Sequence, residues 1–538
     1  MSIAAVLSLS LVFAQAEPKP LLFEGTGTHA RTVSTSSADA QRWFNQGLAF
    51  LFAFNHDEAI RSFEEAARID PNCAMAHWGV ATALGPHINN PAVEPAAAAR
   101  AWRSLQRARE ALGSRTGVER DLIEAQFKRF SADPNAERAP LDKAYAEAMK
   151  AVWRKHPRDA DIGALTAEAL MDLHPWDFWT PDGKPKSWTP EIKGLLERVL
   201  ELDPHHPLGL HLYIHITEAS ANPEDGLEAA RRLWKLQPGL GHMVHMPSHT
   251  FVRTGHWEDA IRSNADAIAA DDAYVARRPE QGFYLVYMAH NHQMLAYAAM
   301  MVGKSKEGIA GMDHIQEAVA PEVLESMAPV LDGYLAAMYE ARIRFGKWDD
   351  ILSMPEPKEV FPIMRAIRHM ARAVAFAVKG DAKSARIEQW HFYRTRNFVP
   401  KDRGIGNNTA WDVMKVAELL MNGEILLGEN RIEDAIKTLR TAVRAEDGLK
   451  YNEPPDWLQP TRHALGAVLV KARHFKEAEA VYREDLKRLP NNGWSTFGMI
   501  QALKGQGKDA KQYEDAFEEI WAASDIPINS SCLCVPSK

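Results

Sequence analysis

Between Ala40 and Cys73 the chain sets small and bulky apolar residues in an order suited to two packed helices. Gly47 and Ala59 are small, Trp43, Phe50 and Phe63 are large, Ala66 is small again, and Pro71 follows. Small residues let helices approach closely, large ones fill the seam, and a proline stops the second helix. Similar endings recur at ELDP (201–204), KLQP (235–238) and KRLP (487–490). Entry turns of one chemistry recur at GHWEDAI (255–261), ENRIEDAI (429–436) and ARHFKEAEA (472–480). The pattern predicts nine to eleven helical pairs from about residue 38 to residue 522, and no alternating strand pattern competes with it.

With Ala40 as position 1, Trp43 falls at 4, Gly47 at 8, Phe50 at 11, Ala59 at 20, Phe63 at 24, Ala66 at 27 and Pro71 at 32. This register resembles the tetratricopeptide repeat family, whose unit of about 34 residues is two antiparallel helices. The resemblance implies an all-α chain, a right-handed α-solenoid of helical hairpins with a concave groove. The segments HMPSHTFVR (245–253), HLYIHITEAS (211–220), HPWDFWTPDG (174–183) and MAHNHQML (288–295) are also similar to a recurrent subgroup of exported bacterial tetratricopeptide proteins. That likeness speaks to fold and register and carries no activity with it.

The ends of the chain read differently from its body. Ile3–Phe13 is one apolar run followed by Ala14-Gln15-Ala16, the pattern of a signal peptide over residues 1–16 and of export to a periplasm or beyond the cell. The run is too short to span a bilayer, so no transmembrane segment is expected after cleavage. Residues 17–37 form an N-terminal extension, 38–351 an N-terminal array, 363–522 a C-terminal array and 523–538 a tail. The three prolines of LSMPEPKEVFP (352–362) mark the boundary between the arrays. Residues 174–190 and 271–284 interrupt the period and should emerge as insertions. Cys532 and Cys534 are expected as unpaired thiols on an exposed tail, with oxidation or soft-metal capture as the alternatives. Sixty-three basic against 71 acidic residues, a net charge of −8, argue against a nucleic-acid partner.

Ten of the 21 histidines lie between His205 and His292, and they keep the repeat register. His211 and His245 are 34 residues apart, as are His215 and His249. Each pair is spaced i, i+4, which puts both rings on one helical face. Glu218 extends the first face and His242 the second. Positions 2, 5, 9 and 12 of the first helix line the groove in the resembled family, so the register points all six inward. At helix separations of about 8–10 Å opposing imidazoles can share an ion. In the next repeat His290, Gln293 and Tyr297 take equivalent positions, with His292 facing away as a structural residue; Glu168 falls near the groove in the preceding one. His77, His87 and His174 read as cap or loop residues.

The expected metal ligands are therefore His211, His215, His242, His245, His249 and His290. Glu168, Glu218, Arg253 and Tyr297 are the candidates for catalysis, and Trp176, Trp179, Arg253, Tyr287 and Tyr297 for contacts to a small or peptide-like substrate. An all-imidazole set suits copper, zinc, nickel or iron; Met243 and Met246 tilt the choice toward copper, and seam packing explains those two equally well. The leading expectation is a metal-dependent enzyme, redox or oxygen chemistry ahead of hydrolysis. A peptide- or protein-binding scaffold and a metal-delivery protein are the alternatives. No HExxH, nucleophile elbow, phosphate loop or dinucleotide fingerprint occurs in the chain.

Overall fold

A computed structural model describes residues 19–279, 281–317 and 319–535. The expected signal peptide lies outside the described residues. About 67% of the chain is helical. Among the described residues the paired strands are Gly404–Ile405 and Asn408–Thr409, and no helix is long and apolar enough to cross a membrane. The all-α expectation holds.

The repeat logic is visible in the packing. Gly47 of helix Ala38–Phe52 and Gly79 of helix Ala74–Ala83 flank the Phe63 ring of helix His56–Ile69. A Cβ on either would lie 2.6 or 2.5 Å from that ring, so glycine is the residue the packing accepts. Gly466 and Gly498 flank the Tyr482 ring in the same way, with Cβ distances of 2.4 and 2.2 Å.

Hairpin turns repeat as closely as the packing. The bonds Asn55 N–H to Phe50 O, His256 to Phe251, Lys304 to Ala299, Lys347 to Arg342, Asp381 to Phe376, Arg431 to Leu426, His474 to Leu469 and Lys508 to Leu503 are one motif at 2.8–3.0 Å. Each closes over a left-handed residue, and five of these are glycines: Gly255, Gly303, Gly346, Gly380 and Gly507. The first hairpin instead carries Phe54 at φ 56°. A left-handed bulky residue costs about 1–2 kcal/mol, so its ring must be needed where it points.

The described residues divide into two compact units, one of residues 19–250 with 265–279 and 281–288, the other of residues 251–264 with 289–317 and 319–535. The proline-rich segment 352–362, expected as a boundary, lies inside the second unit. In the first unit the N-terminal extension is strapped down. Gln46 Nε2 donates to Leu21 O at 2.9 Å, Gln237 Nε2 to Thr26 O at 2.8 Å, and Arg31 pairs with Asp159 and Asp161 at 2.9 and 2.8 Å. The expected insertion at 174–190 is a loop closed by a bridge between Trp179 and Pro185.

The C-terminal tail corrects an expectation. Cys532 and Cys534 are buried, at 0% and 2% exposure, and joined as a disulfide. Ser531 explains why the tail docks in the second unit. Its carbonyl accepts from the buried Arg344 at 3.0 Å, and its hydroxyl lies 2.6 Å from Tyr482 Oη. Composition alone made this segment look solvated, whereas Arg344 supplies a buried donor that needs an acceptor.

Candidate metal centre

Helix Pro207–Thr217 carries the first pair of imidazoles. Pro207 suits its first turn, where no N–H is required. His206 caps it by accepting the Gly209 N–H through Nδ1 at 3.0 Å, so its Nε2 carries the proton that goes to Asp161 at 2.9 Å. His29 and Arg31 bind the same carboxylate at 2.8 Å. The His29–Asp161–His206 group thus has ligand-like spacing but is a satisfied cap. At the other end of the helix, Trp179 Nε1 donates to the Ile216 carbonyl at 2.8 Å, tying the inserted loop to the last turn.

The second set sits on a broken helix. Gly241–His245 and Pro247–Arg253 are separate segments, because Pro247 has no N–H with which to continue the ladder. His242 N–H donates to Tyr284 Oη at 3.2 Å, and that hydroxyl donates to Asp271 at 3.1 Å, which replaces the missing side-chain cap. Gly241 is required here, since a Cβ would lie 2.0 Å from Asp271 Oδ1.

These elements bring five predicted imidazoles together in the first unit, all at 3% exposure or less. His211, His215 and His242 offer ligand atoms within 4.8 Å of one another, and so do His215, Glu218 and His249. His211 Nε2 lies 3.2 Å from His242 Nε2, and His245 Nε2 lies 2.9 Å from His249 Nε2. The tautomers follow from the partners. His211 Nδ1 is 2.8 Å from the Phe52 carbonyl, an oxygen that can only accept. Glu218 Oε1 is 2.8 Å from His215 Nδ1, and its Oε2 is 2.6 Å from His249 Nδ1. Those three rings must carry a proton on Nδ1, so in the uncharged form each presents an Nε2 lone pair, and the Nε2 atoms of His211 and His249 face those of His242 and His245. This is the outer-shell arrangement of metal-binding histidines. Among the described residues, the buried His215 Nε2 and His242 Nδ1 have no hydrogen-bond partner.

Burial dominates the electrostatics. It lowers His211 and His242 well below the usual imidazole range and lowers His215 as well, favouring the uncharged form that binds metals. Burial pushes Glu218 up, but His249 and the hydrogen bonds from both rings outweigh it and pull the carboxyl down to about 2. Both oxygens of Glu218 are therefore engaged by imidazoles, which suits it to orient those rings.

The other predicted residues belong to several elements. Glu168, on helix Ala160–Met171, sits by Arg129, and burial raises it to about 7. Arg253, His290 and Tyr297 belong to the second unit. There Arg253 lies 5.6 Å from the Tyr451 ring centre, Tyr297 packs 5.9 Å from Trp257, and His290 is half-buried on helix Leu285–Met301. Trp176, also left-handed at φ 62°, meets the His215 ring edge-to-face at 5.1 Å. Tyr287 lies 4.5 Å from His242.

Several residues at the site carry no signal in the repeat register. Phe54 packs at 4.5 Å against His211 on one side and His87 on the other, which accounts for its strained turn. His87 in turn meets the His56 ring edge-to-face at 4.5 Å. His87 reads as a loop residue, and it is one, but the loop folds back onto the first hairpin. An aromatic residue where five of the other seven turns carry glycine, and two carry Asn430 and Arg473, was the available clue.

The tetratricopeptide repeat family model matches residues 40–73. Among solved structures, the Cut9–Hcn1 heterotetramer of APC/C aligns at 12% identity over 92% of this chain and 76% of that one, with a TM-score of 0.30. The human IFIT1 dimer with m7Gppp-AAAA aligns at 12% identity over 91% and 92% of the two chains, with a TM-score of 0.33. No curated protein sequence matches. The chain thus carries a tetratricopeptide repeat over residues 40–73, and the small–large packing and the hairpin turn of that repeat recur further along it.

Proposed function

We propose that His211, His215, His242 and His249, oriented by Glu218 and the Phe52 carbonyl, bind a transition metal, and that the protein is a metal-dependent enzyme. One observation carries the reading: three buried imidazoles within 4.8 Å of one another, with two of their Nδ1 atoms committed to acceptor oxygens. Left to themselves, such buried lone pairs cost about 1–3 kcal/mol each. Copper is the proposed ion, and zinc or iron are the alternatives that the same donors accept. A bound copper or iron would supply redox or oxygen chemistry. Glu218 favours that over hydrolysis, because both of its oxygens are occupied and its low pKa makes it a poor base. Export is part of the same proposal, and the Cys532–Cys534 disulfide is compatible with an oxidising compartment.

Elemental analysis of untagged protein tests the site. At least one transition-metal ion should be present per chain, and His211→Ala with His215→Ala should remove it while helicity stays intact. A folded wild type that takes up no copper, zinc or iron refutes the proposal. The helical-repeat fold also fits a protein-binding scaffold. Metal-free protein that captures a peptide in the presence of chelator would support that reading instead.

A further inference from the structure

We infer that His56 and His87, with the Asn89 side-chain oxygen, form a second transition-metal subsite beside the first. The inference stands on its own donors and does not require the first site to be filled. His56 opens helix His56–Ile69. One ring nitrogen bonds the Ala83 carbonyl. Because Nε2 is buried with no partner among the described residues, that bond belongs to Nδ1. The carbonyl can only accept, so Nδ1 carries the proton and Nε2 presents a lone pair. This repeats the logic of His211 and the Phe52 carbonyl.

His87 completes the pair. Its backbone is pinned by reciprocal bonds with Asn90, at 3.1 and 2.9 Å, and the residue is 3% exposed. Its Nδ1 is buried with no partner among the described residues, as is Asn89 Oδ1 two residues on. The two rings lie 4.5 Å apart at 64°. Three buried donor atoms without partners thus come from the helix start at His56 and the loop at 87–89, two of them on rings in edge-to-face contact, and all are of types that borderline divalent cations accept. The Phe54 ring stands between His87 and His211, 4.5 Å from each, which makes this subsite a neighbour of the first centre and separate from it.

Arg129 is the nearby positive group, and it is engaged by Asp172 at 2.5 Å, with Glu168 close by. Burial first, and the guanidinium after it, disfavour protonation of both rings. Geometry requires water or substrate atoms to complete the coordination, so this subsite should bind more weakly than the first.

The test is zinc stoichiometry. Chelator-stripped, untagged protein is titrated with Zn²⁺, and bound metal is counted after gel filtration. Wild type should bind two ions. His56→Ala with His87→Ala should bind one, and His211→Ala with His215→Ala should bind one. Asn89→Ala leaves both rings in place and should weaken the second ion about tenfold, which guards against misfolding of the double variant. One ion in wild type, unchanged in the His56/His87 variant, overturns this inference and leaves the first site standing. Two ions retained by that variant overturn it as well. No ion in wild type refutes both readings.

Discussion

Replacing Glu218 by glutamine changes the chemistry of one side chain and should disable two rings unequally. The carboxylate accepts two Nδ1–H groups, from His215 at 2.8 Å and His249 at 2.6 Å. An amide offers one acceptor oxygen and one NH₂ group. The ring that meets the NH₂ must move its proton to Nε2, and its lone pair then faces away from the site. Loss of an outer-shell partner of this kind costs about 10–100-fold in metal affinity, or about 1.4–2.7 kcal/mol. Stability should fall too. Glu218 is ionised in the folded chain down to about pH 2, against 4.5 for an ordinary glutamate. A depressed folded pKa contributes stability that is fully present above pH 4.5 and lost as pH falls toward 2, on the order of 3 kcal/mol. Part of that contribution disappears in the variant. Competition against a chromophoric chelator at neutral pH measures the affinity, and near-ultraviolet circular dichroism confirms the fold. A folded Glu218→Gln protein that holds metal as tightly as wild type would show that tautomer locking is irrelevant here.

Acid should unfold the metal-free protein early. His56 is lowered to about 4 from 6.5, and His211, His215 and His242 are lowered as well, so the unfolded chain binds more protons below pH 6.5 and stability should fall from there downward. A denaturation midpoint that is flat from neutrality down to the glutamate range contradicts this. At the first turn, Phe54→Gly relieves left-handed strain that Phe54→Ala keeps. Both variants should lose stability, with glycine less affected by about 1 kcal/mol; equal melting temperatures argue against the strain. Gly241→Ala should displace His242 and lower metal content, and an unchanged content would show that the Asp271–Tyr284 cap does not position that helix. Ending the chain after Asn529 removes the Ser531 acceptor from Arg344 and should cost about 2–4 kcal/mol in chemical denaturation, whereas no change would mean the tail is a passenger.

The helical array was legible because its signals are local. Gly47, Phe63 and Pro71 state a hairpin within one stretch of chain, and the 34-residue echo of His211 and His215 in His245 and His249 states that neighbouring hairpins carry related faces. What the register could not supply was contact at a distance. His56 and His87 meet only when the loop after helix Ala74–Ala83 folds back, and Phe52 reaches His211 through its backbone, which no side-chain pattern encodes. Glu218 was placed on the correct face, but its role depends on two oxygens reaching two helices at once. The cysteines were misplaced for a related reason: burial of a short tail depends on Arg344, which lies far away in sequence.

Phe54 carries an implication for arrays of this kind. Among the described residues eight hairpins close with one hydrogen-bond motif, and five have glycine at its left-handed position. Such a joint tolerates almost any neighbour, so an aromatic there is a departure that needs a local cause, and in this chain the cause is a chamber of imidazoles. A survey of other helical repeats for heavy side chains at that joint would pick out hidden pockets from backbone angles alone, before any ligand is known.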